Sequence, residues 1–276
     1  MHFLLTHFVL CDKLKSKDGG NMIKLTLLGT CSGTEPMPNR HHCSLVFEIN
    51  GQNYWFDAGE NCSHRAYTSG IKVSDVRAVF VSHMHIDHIG GLANLIFTIY
   101  KDYIMHHTPH INNNSYDIYV PDLERFQHIK ALVPGHRVSG IELVEHEVKD
   151  GPLFEDENVK ITALHNTHLN ENGLDGWHSY SYLIEAEGKK IVYSGDVGNP
   201  NELDALVGEG CDLLIHETGH HKVKDVCDYA ESRKVKRLLF NHHGREILYG
   251  FEEAEKYVAS RNVSVKICND GDVEYI

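Results

Sequence analysis

The six residues from His83 to His88 carry four side chains able to ligate a metal, His83, His85, Asp87 and His88. They follow an apolar run, Val76 to Val81, that reads as a buried strand. At a strand end, positions i and i+2 point to one side, so His83 and His85 can grip one ion. The chain is then expected to turn into a helix beginning near Ile89, with Gly90 and Gly91 permitting a tight turn and close helix packing. That turn swings Asp87 and His88 towards a neighbouring position, and four ligands this close suit two ions better than one. The remaining ligands should come from other strand ends. His168 lies beyond a strand from Lys160 to Leu164, Asp196 ends the run from Val192 to Gly195, and His242 ends the run from Leu238 to Asn241. Ligands beyond the ends of separate strands converge on one sheet edge, where open α/β sheets carry their chemistry. Asp57, after Tyr54-Trp55-Phe56, fits as a carboxylate that holds a ligand His by its other ring nitrogen, although a turn-forming Asp explains it equally well. Two doublets stay open: His165 competes with His168, and His243 with His242.

Composition bounds the molecule that must position these groups. A chain of 276 residues, 41% hydrophobic and 24% charged, suits one or two globular domains with a substantial core and excludes disorder or collagen-like order. Its 22 His are several times the usual share and agree with metal chemistry. A net charge of −13 would repel a polyanion, so a general DNA or RNA binder is disfavoured. The 7 Cys are scattered, odd in number and without a C-x-x-C pair, which predicts reduced thiols and a cytoplasmic location. Met1 to Leu10 is apolar but short, and without a basic flank or a small-residue cleavage site it makes a poor signal peptide. No run approaches the length of a membrane span. Residues 1–21 are set apart as an N-terminal extension because Met22 opens a convincing strand, Ile23 to Leu28, and residues 22–276 are read as one domain.

Within that domain, short β-rich runs are followed by turns and then by segments of helical period. Ser44 to Ile49 and Asn53 to Phe56 flank Asn50-Gly51, a hairpin signal whose register Gln52 blurs. Further strands are expected at Lys190 to Tyr193, Asp212 to Ile215 and Arg237 to Phe240. Helices are expected at Leu92 to Tyr100, Leu123 to Val133, Glu202 to Val207, Val223 to Val235 and Phe251 to Ser260. In the second of these, Leu123, Phe126, Ile129 and Leu132 mark an apolar stripe. No linker divides the chain, so two similar α/β halves packed into one domain are expected. Lys101 to Asp117, rich in His, Asn and Tyr, reads as an insertion.

On these residues the chain resembles the metallo-β-lactamase fold superfamily and, within it, the ribonuclease Z-like branch, over essentially Met22 to Ile276. Leu28-Gly29-Thr30 resembles that branch's opening loop, Phe56-Asp57-Ala58-Gly59-Glu60 its first acidic motif, and His83 to His88 its signature. Ile215-His216-Glu217-Thr218 is similar to the His-Glu-Ala-Thr segment of tRNA 3′-processing enzymes. The resemblance implies an α/β fold of the four-layer αβ/βα sandwich type. It implies that His83, His85 and His168 hold one zinc, that Asp87, His88 and His242 hold the other, and that Asp196 bridges them. The family spacing favours His168 over His165, and His242 directly follows its strand. Because the bridging place is Asp196 rather than Cys, a secreted antibiotic-degrading lactamase is a poor match. Iron-based members generally replace one signature His with Glu, and His83, His85 and His88 are intact, so two zinc ions are expected, with manganese or iron as alternatives.

Two such ions lower the pKa of a shared water and clamp a phosphoryl oxygen, which favours phosphodiester hydrolysis. The resemblance makes His220, supported by Glu217, the acid that protonates the leaving oxygen, although the family's His-Ser-Thr reads His220-His221-Lys222 here. Arg245 resembles the Arg of the family's final motif and would hold phosphate, with a surface Arg at a helix start as the competing explanation. The stretch from His168 to Asp196 is too short for the Gly/Pro-rich arm by which one subfamily grips tRNA. The expected substrate is therefore a small phosphodiester or nucleotide. True tRNA 3′ processing is the second choice, thioester or lactone hydrolysis a third, and a metal-retaining sensor protein is disfavoured. Aromatic residues in Tyr100 to Tyr119, with Trp177, Tyr180 and Tyr182, offer rings that would shape a pocket, but ordinary strand positions are the stronger explanation for Tyr180 and Tyr182. His41, His42, His106, His107, His110 and His221 are further candidates for lining it, although single loop His are more often solvated. A homodimer is implied by the resemblance alone.

Overall fold

The computed structural model describes residues 22–106, 111–135, 140–169 and 177–276. The N-terminal extension, His107 and His110 lie outside the described residues. The first half of the chain forms β1 (Lys24–Gly29), β2 (Ser44–Ile49), β3 (Gln52–Phe56), β4 (Val76–Phe80), β5 (Ser115–Val120) and β6 (Glu142–Glu147). The second half forms β7 (Gly151–Glu155), β8 (Lys160–His165), β9 (Tyr180–Ala186), β10 (Lys189–Tyr193), β11 (Leu213–Thr218), β12 (Arg237–His243), β13 (Ser264–Ile267) and β14 (Val273–Tyr275). They make two seven-stranded sheets, ordered β14-β1-β2-β3-β4-β5-β6 and β13-β12-β11-β10-β9-β8-β7. Each sheet opens with antiparallel hairpins and continues with parallel strands, β3 to β6 in one and β10 to β13 in the other.

Period-2 alternation explains the layering. Leu45, Phe47 and Ile49 of β2 point between the sheets, whereas Val46 points outward. Ile191 and Tyr193 of β10 likewise face the inter-sheet core, and Val192 faces the other way. Helices α1 (Cys62–Thr68), α2 (Ile86–Ile89), α3 (Leu92–His106) and α5 (Leu123–Ala131) belong to the first half, with a short turn of left-handed backbone, α4 (Ile111–Asn114), between α3 and β5. Buried residues of α1, α3 and α5 cover the outer face of the first sheet. Helices α6 (Asp204–Val207), α7 (Val223–Ser232), α8 (Arg245–Tyr249) and α9 (Phe251–Ala259) supply side chains that cover the second. The result is the expected four-layer αβ/βα sandwich. Between the sheets, Phe56 stacks on Phe80 at 5.0 Å and meets Tyr182 and Tyr193 edge-on, giving the site above a rigid aromatic floor.

Several local expectations are corrected. Lys101 to Asp117 is not one insertion: α3 runs on to His106, and residues 115–117 are the start of β5. Its Asn-rich middle is a left-handed turn, with Asn112 and Asn113 at φ 58° and 55°. Gln52 does not blur the hairpin, because Ile49 pairs with Gln52 and leaves the two residues Asn50 and Gly51, both at positive φ, as the turn. The helix expected near Ile89 is two helices, since α2 ends at Ile89 and α3 begins at Leu92. The break lies where Gly91 presses on the loop after β3, and a Cβ there would stand 2.2 Å from the Gly59 carbonyl oxygen.

Candidate metal centre

Strand β4 ends against the aromatic floor and delivers Ser82 and His83 to the rim, both buried. His85 caps α2 in an extended conformation, so Asp87 and His88 fall in its single turn beside the strand end. The second sheet contributes from the facing side: His168 beyond β8, Asp196 beyond β10, Glu217 in β11 and His242 in β12.

His83 Nε2 lies 3.0 Å from His85 Nδ1, which lies 3.3 Å from His168 Nε2. Asp196 Oδ2 is 3.7 Å from His83 Nε2 and 3.6 Å from His168 Nε2. Beside this group, Asp87 Oδ2 is 3.4 Å from His88 Nε2 and 3.0 Å from His242 Nε2. Asp196 faces both groups, since its other oxygen stands 3.4 Å from His88 Nε2 and 3.2 Å from His242 Nδ1. Ligands bonded at about 2.0–2.1 Å on the corners of a tetrahedron stand about 3.3–3.4 Å apart, close to these separations. Three of these buried atoms, His88 Nε2, His242 Nδ1 and Asp196 Oδ1, have no hydrogen-bond partner. Orphaned buried polar atoms are costly unless something satisfies them, and the donor set suits a divalent cation.

The electrostatics agree. Burial holds His83 well below the ordinary imidazole value and brings His168 to about 4, so both are neutral and able to ligate. Burial also opposes the charged forms of Asp87 and Asp196, yet His242 and His88 hold both carboxyls well below the usual range. Burial would likewise lower His242, but Asp196 and Asp87 push it up to about 9. Two ionised carboxylates buried among imidazoles attract protons onto those rings, and a divalent cation answers the same field.

Asp57 sets the ring tautomers. It directly follows β3 at φ 54° and is fully buried. Its Oδ1 accepts from the Ser82 backbone N–H at 2.7 Å, and its Oδ2 accepts from Ser82 Oγ and His88 Nδ1, each at 2.8 Å. With Nδ1 protonated towards Asp57, His88 keeps Nε2 free for the centre. Ser82 Oγ, having given its proton to Asp57, accepts from His83 Nδ1 at 3.1 Å and orients that ring the same way. Ser82 was not singled out from sequence, and its position directly before His83 is the available signal.

Both doublets resolve. His165 is turned away, bonded to Asp150 at 2.6 Å and stacked on Trp177, whereas His168 joins the cluster. His243 is a satisfied core residue, its Nε2 donating to the Cys268 carbonyl at 2.8 Å and its Nδ1 meeting Thr218 Oγ1. His242 does not follow its strand but lies within it, between Asn241 paired with Glu217 and His243 paired with Thr218. This bulge, with His242 at φ 47°, turns the ring from the outward side into the site.

Beside the cluster, His220 Nδ1 is 3.1 Å from Glu217 Oε1 and 3.8 Å from Asp196 Oδ2. The His220 backbone N–H also donates to Glu217 Oε2 at 2.8 Å, which fixes the carboxylate. The side-chain hydrogen bond from the His220 ring to Glu217 raises His220 above the ordinary imidazole value, against the opposing effect of burial. Arg245 begins α8 and bonds Glu35 at 3.1 Å, and the Tyr249 hydroxyl donates to the same carboxylate at 2.6 Å. A cavity of about 540 Å³ opens over these groups, lined among others by Gly33, Asp87, Asp196, His220, Lys222 and Arg245. The loop after β1 forms one wall, and a Cβ on Gly33 would touch the Asp87 carboxylate at 3.0 Å.

Tyr180 and Tyr182 are strand residues of β9, the stronger of the two explanations, and no Phe, Tyr or Trp lines this cavity among the described residues. Tyr182 and Tyr119 are buried between the sheets, and the Tyr182 hydroxyl donates to the Val81 carbonyl. Of the further His, His221 lines the cavity while donating to the Val197 carbonyl, His41 is held by Asp270, His42 stands 3.9 Å from Glu60, and His106 is exposed. The six Cys among the described residues are free and buried. Among the described residues, no helix is long and apolar enough to cross a membrane.

A family profile described as "Anti-Pycsar protein Apyc1" matches residues 23–131. The chain is 26% identical to ribonuclease Z of Methanothermobacter thermautotrophicus over 276 residues, covering 80% of this chain and 86% of that protein. It is 27% identical to ribonuclease Z of Thermococcus kodakarensis, covering 91% and 94%. Among solved structures it is similar to the metallo-β-lactamase fold protein YhfI from Bacillus subtilis, with a TM-score of 0.73 at 20% identity, covering 93% of this chain and 100% of that one. Human tRNase Z, short form, gives a TM-score of 0.67 at 22% identity, covering 91% and 98%.

Proposed function

We propose that the chain, ribonuclease Z-like in sequence and of the metallo-β-lactamase fold, is a metal-dependent hydrolase that acts on a small phosphodiester or a nucleotide. In this reading His83, His85 and His168 would hold one zinc, Asp87, His88 and His242 would hold a second, and Asp196, which faces both groups, would serve either. Manganese or iron would suit the same nitrogen and oxygen ligands. Such ions supply a water acidic enough to attack at neutral pH and a clamp for a phosphoryl oxygen.

The chain's own residues do the rest. Asp57 and Ser82 hold the His88 and His83 rings in one tautomer. His220, whose affinity for a proton Glu217 raises, faces the cavity beside Asp196 and hands a proton to the departing oxygen. Arg245 at the rim exchanges its Glu35 partner for a phosphate oxygen. The observation that carries this reading is the His220–Glu217 pair within 3.8 Å of Asp196, because a proton donor at that place serves an alkoxide leaving group. A cavity of about 540 Å³ has the size of a small-ligand site, and the net charge of −13 disfavours a long polyanion.

Turnover of bis-p-nitrophenyl phosphate by zinc- or manganese-loaded protein, set against thioester and lactone panels, tests the proposal. Absence of phosphodiester turnover would overturn it. A second reading, tRNA 3′ processing, is favoured by the ribonuclease Z relatives, whose similarity spans 80% and 91% of the chain. Cleavage of a precursor tRNA at rates matching the small substrates would select it.

A further inference from the structure

Beneath the candidate ligands, polar side chains cross the gap between the sheets where the core is otherwise apolar. Tyr193 ends β10 in the second sheet, and its hydroxyl donates to Asp57 Oδ2, at the end of β3 in the first, at 2.6 Å. That oxygen already accepts from Ser82 Oγ and His88 Nδ1. Having one proton and spending it on a carboxylate, the Tyr193 oxygen can only accept from Cys43, whose sulfur lies 3.2 Å away. The Cys43 sulfur in turn accepts from Asn241 Nδ2 at 3.3 Å. Donors therefore run one way, from Asn241 through Cys43 and Tyr193 to Asp57, and all four residues are buried. The chain begins at the neighbour of His242 and ends on the partner of His88, two members of one candidate ligand group.

We propose that Tyr193 is a positioning residue for this group: with Cys43 behind it, its hydroxyl fixes the Asp57 carboxylate so that His88 presents Nε2 to the metal. The proposal rests on the dinuclear reading above. A buried carboxylate that loses one of its donors shifts towards those that remain, and the ring it holds turns with it. Direct partners of ligand His are worth about 10–100-fold in metal affinity, so a residue one bond further out should act at the lower end of that range.

The test is zinc stoichiometry and affinity of the full chain, measured by competition with a chromophoric chelator. Y193F removes the hydroxyl and leaves the ring against Phe56. It should weaken one of the two ions about 10-fold and leave the other within about 3-fold. D57N should weaken zinc at least as much, and Y193F should then add little, because the hydroxyl acts through that carboxylate. C43A should show part of the same loss and C43S, which keeps a donor, should restore it. Two ions bound by Y193F with wild-type affinity, or losses that simply add with D57N, would overturn the proposal alone. Wild-type protein that binds fewer than two ions would overturn the dinuclear reading and the proposal with it.

Discussion

A protonated imidazole beside a leaving oxygen matters most when that oxygen leaves poorly. H220A is therefore expected to lower kcat about 10²-fold on an alkyl phosphodiester and far less on bis-p-nitrophenyl phosphate, whose leaving group needs little help, as steady-state rates on the two substrates would show. The pH profile gives a second check. Glu217 raises His220 above its ordinary value, so the proton donor is present below that raised value and is lost as pH rises through it. E217Q removes the raising charge, and the alkaline limb of kcat against pH should move to lower pH. An unmoved limb would separate His220 from proton donation. The candidate ligand run His83 to His88 and Asp196 were readable from residue type and spacing, and Glu217 from the family resemblance. The bonds that prepare them, such as Ser82 to Asp57, were not, because a serine before a histidine has no distinctive signature until two strand ends meet.

The bulge in β12 shows where strand-level reading stops. Alternation along Leu238, Leu239 and Phe240 predicts that His242 points towards the helices, and only its pairing with β11 forces the left-handed conformation that turns it inward. Strands ending in ligands were readable as apolar runs buried on both faces. Strand β6, with three Glu and a His in six residues, and its hairpin-edge counterpart β7 were not, since half-exposed positions carry no clean alternation. The long helix α3 was cut short for a related reason: its last turns expose Ile104, Met105 and His106, which read as loop. Gly219 tests the geometry of the bulge. A Cβ there would come within 2.7 Å of the His242 ring, and the glycine does not have a positive φ, so alanine strains the ring rather than the backbone. G219A should weaken zinc about 10-fold in chelator competition, while the melting temperature of the metal-free protein changes little.

Across the whole molecule, the candidate ligands come from both sheets, so the proposed metal binding should be linked to folding. Zinc free at about 100 times its dissociation constant contributes about 2.7 kcal/mol per site. For a domain of this size that is about 5–10 °C in melting temperature for one site, and a thermal melt with and without chelator should show at least this difference. A melt indifferent to chelator would deny the link. The division of labour has one more consequence. His83, His85, Asp87 and His88 precede the short connection between β6 and β7, whereas His168, Asp196 and His242 follow it. The C-terminal β14 nonetheless returns to pair with β1. Severed at residues 148–150, the protein should yield two catalytically silent pieces that regain turnover only when co-expressed, so that enzymatic output reports the meeting of two separate polypeptides.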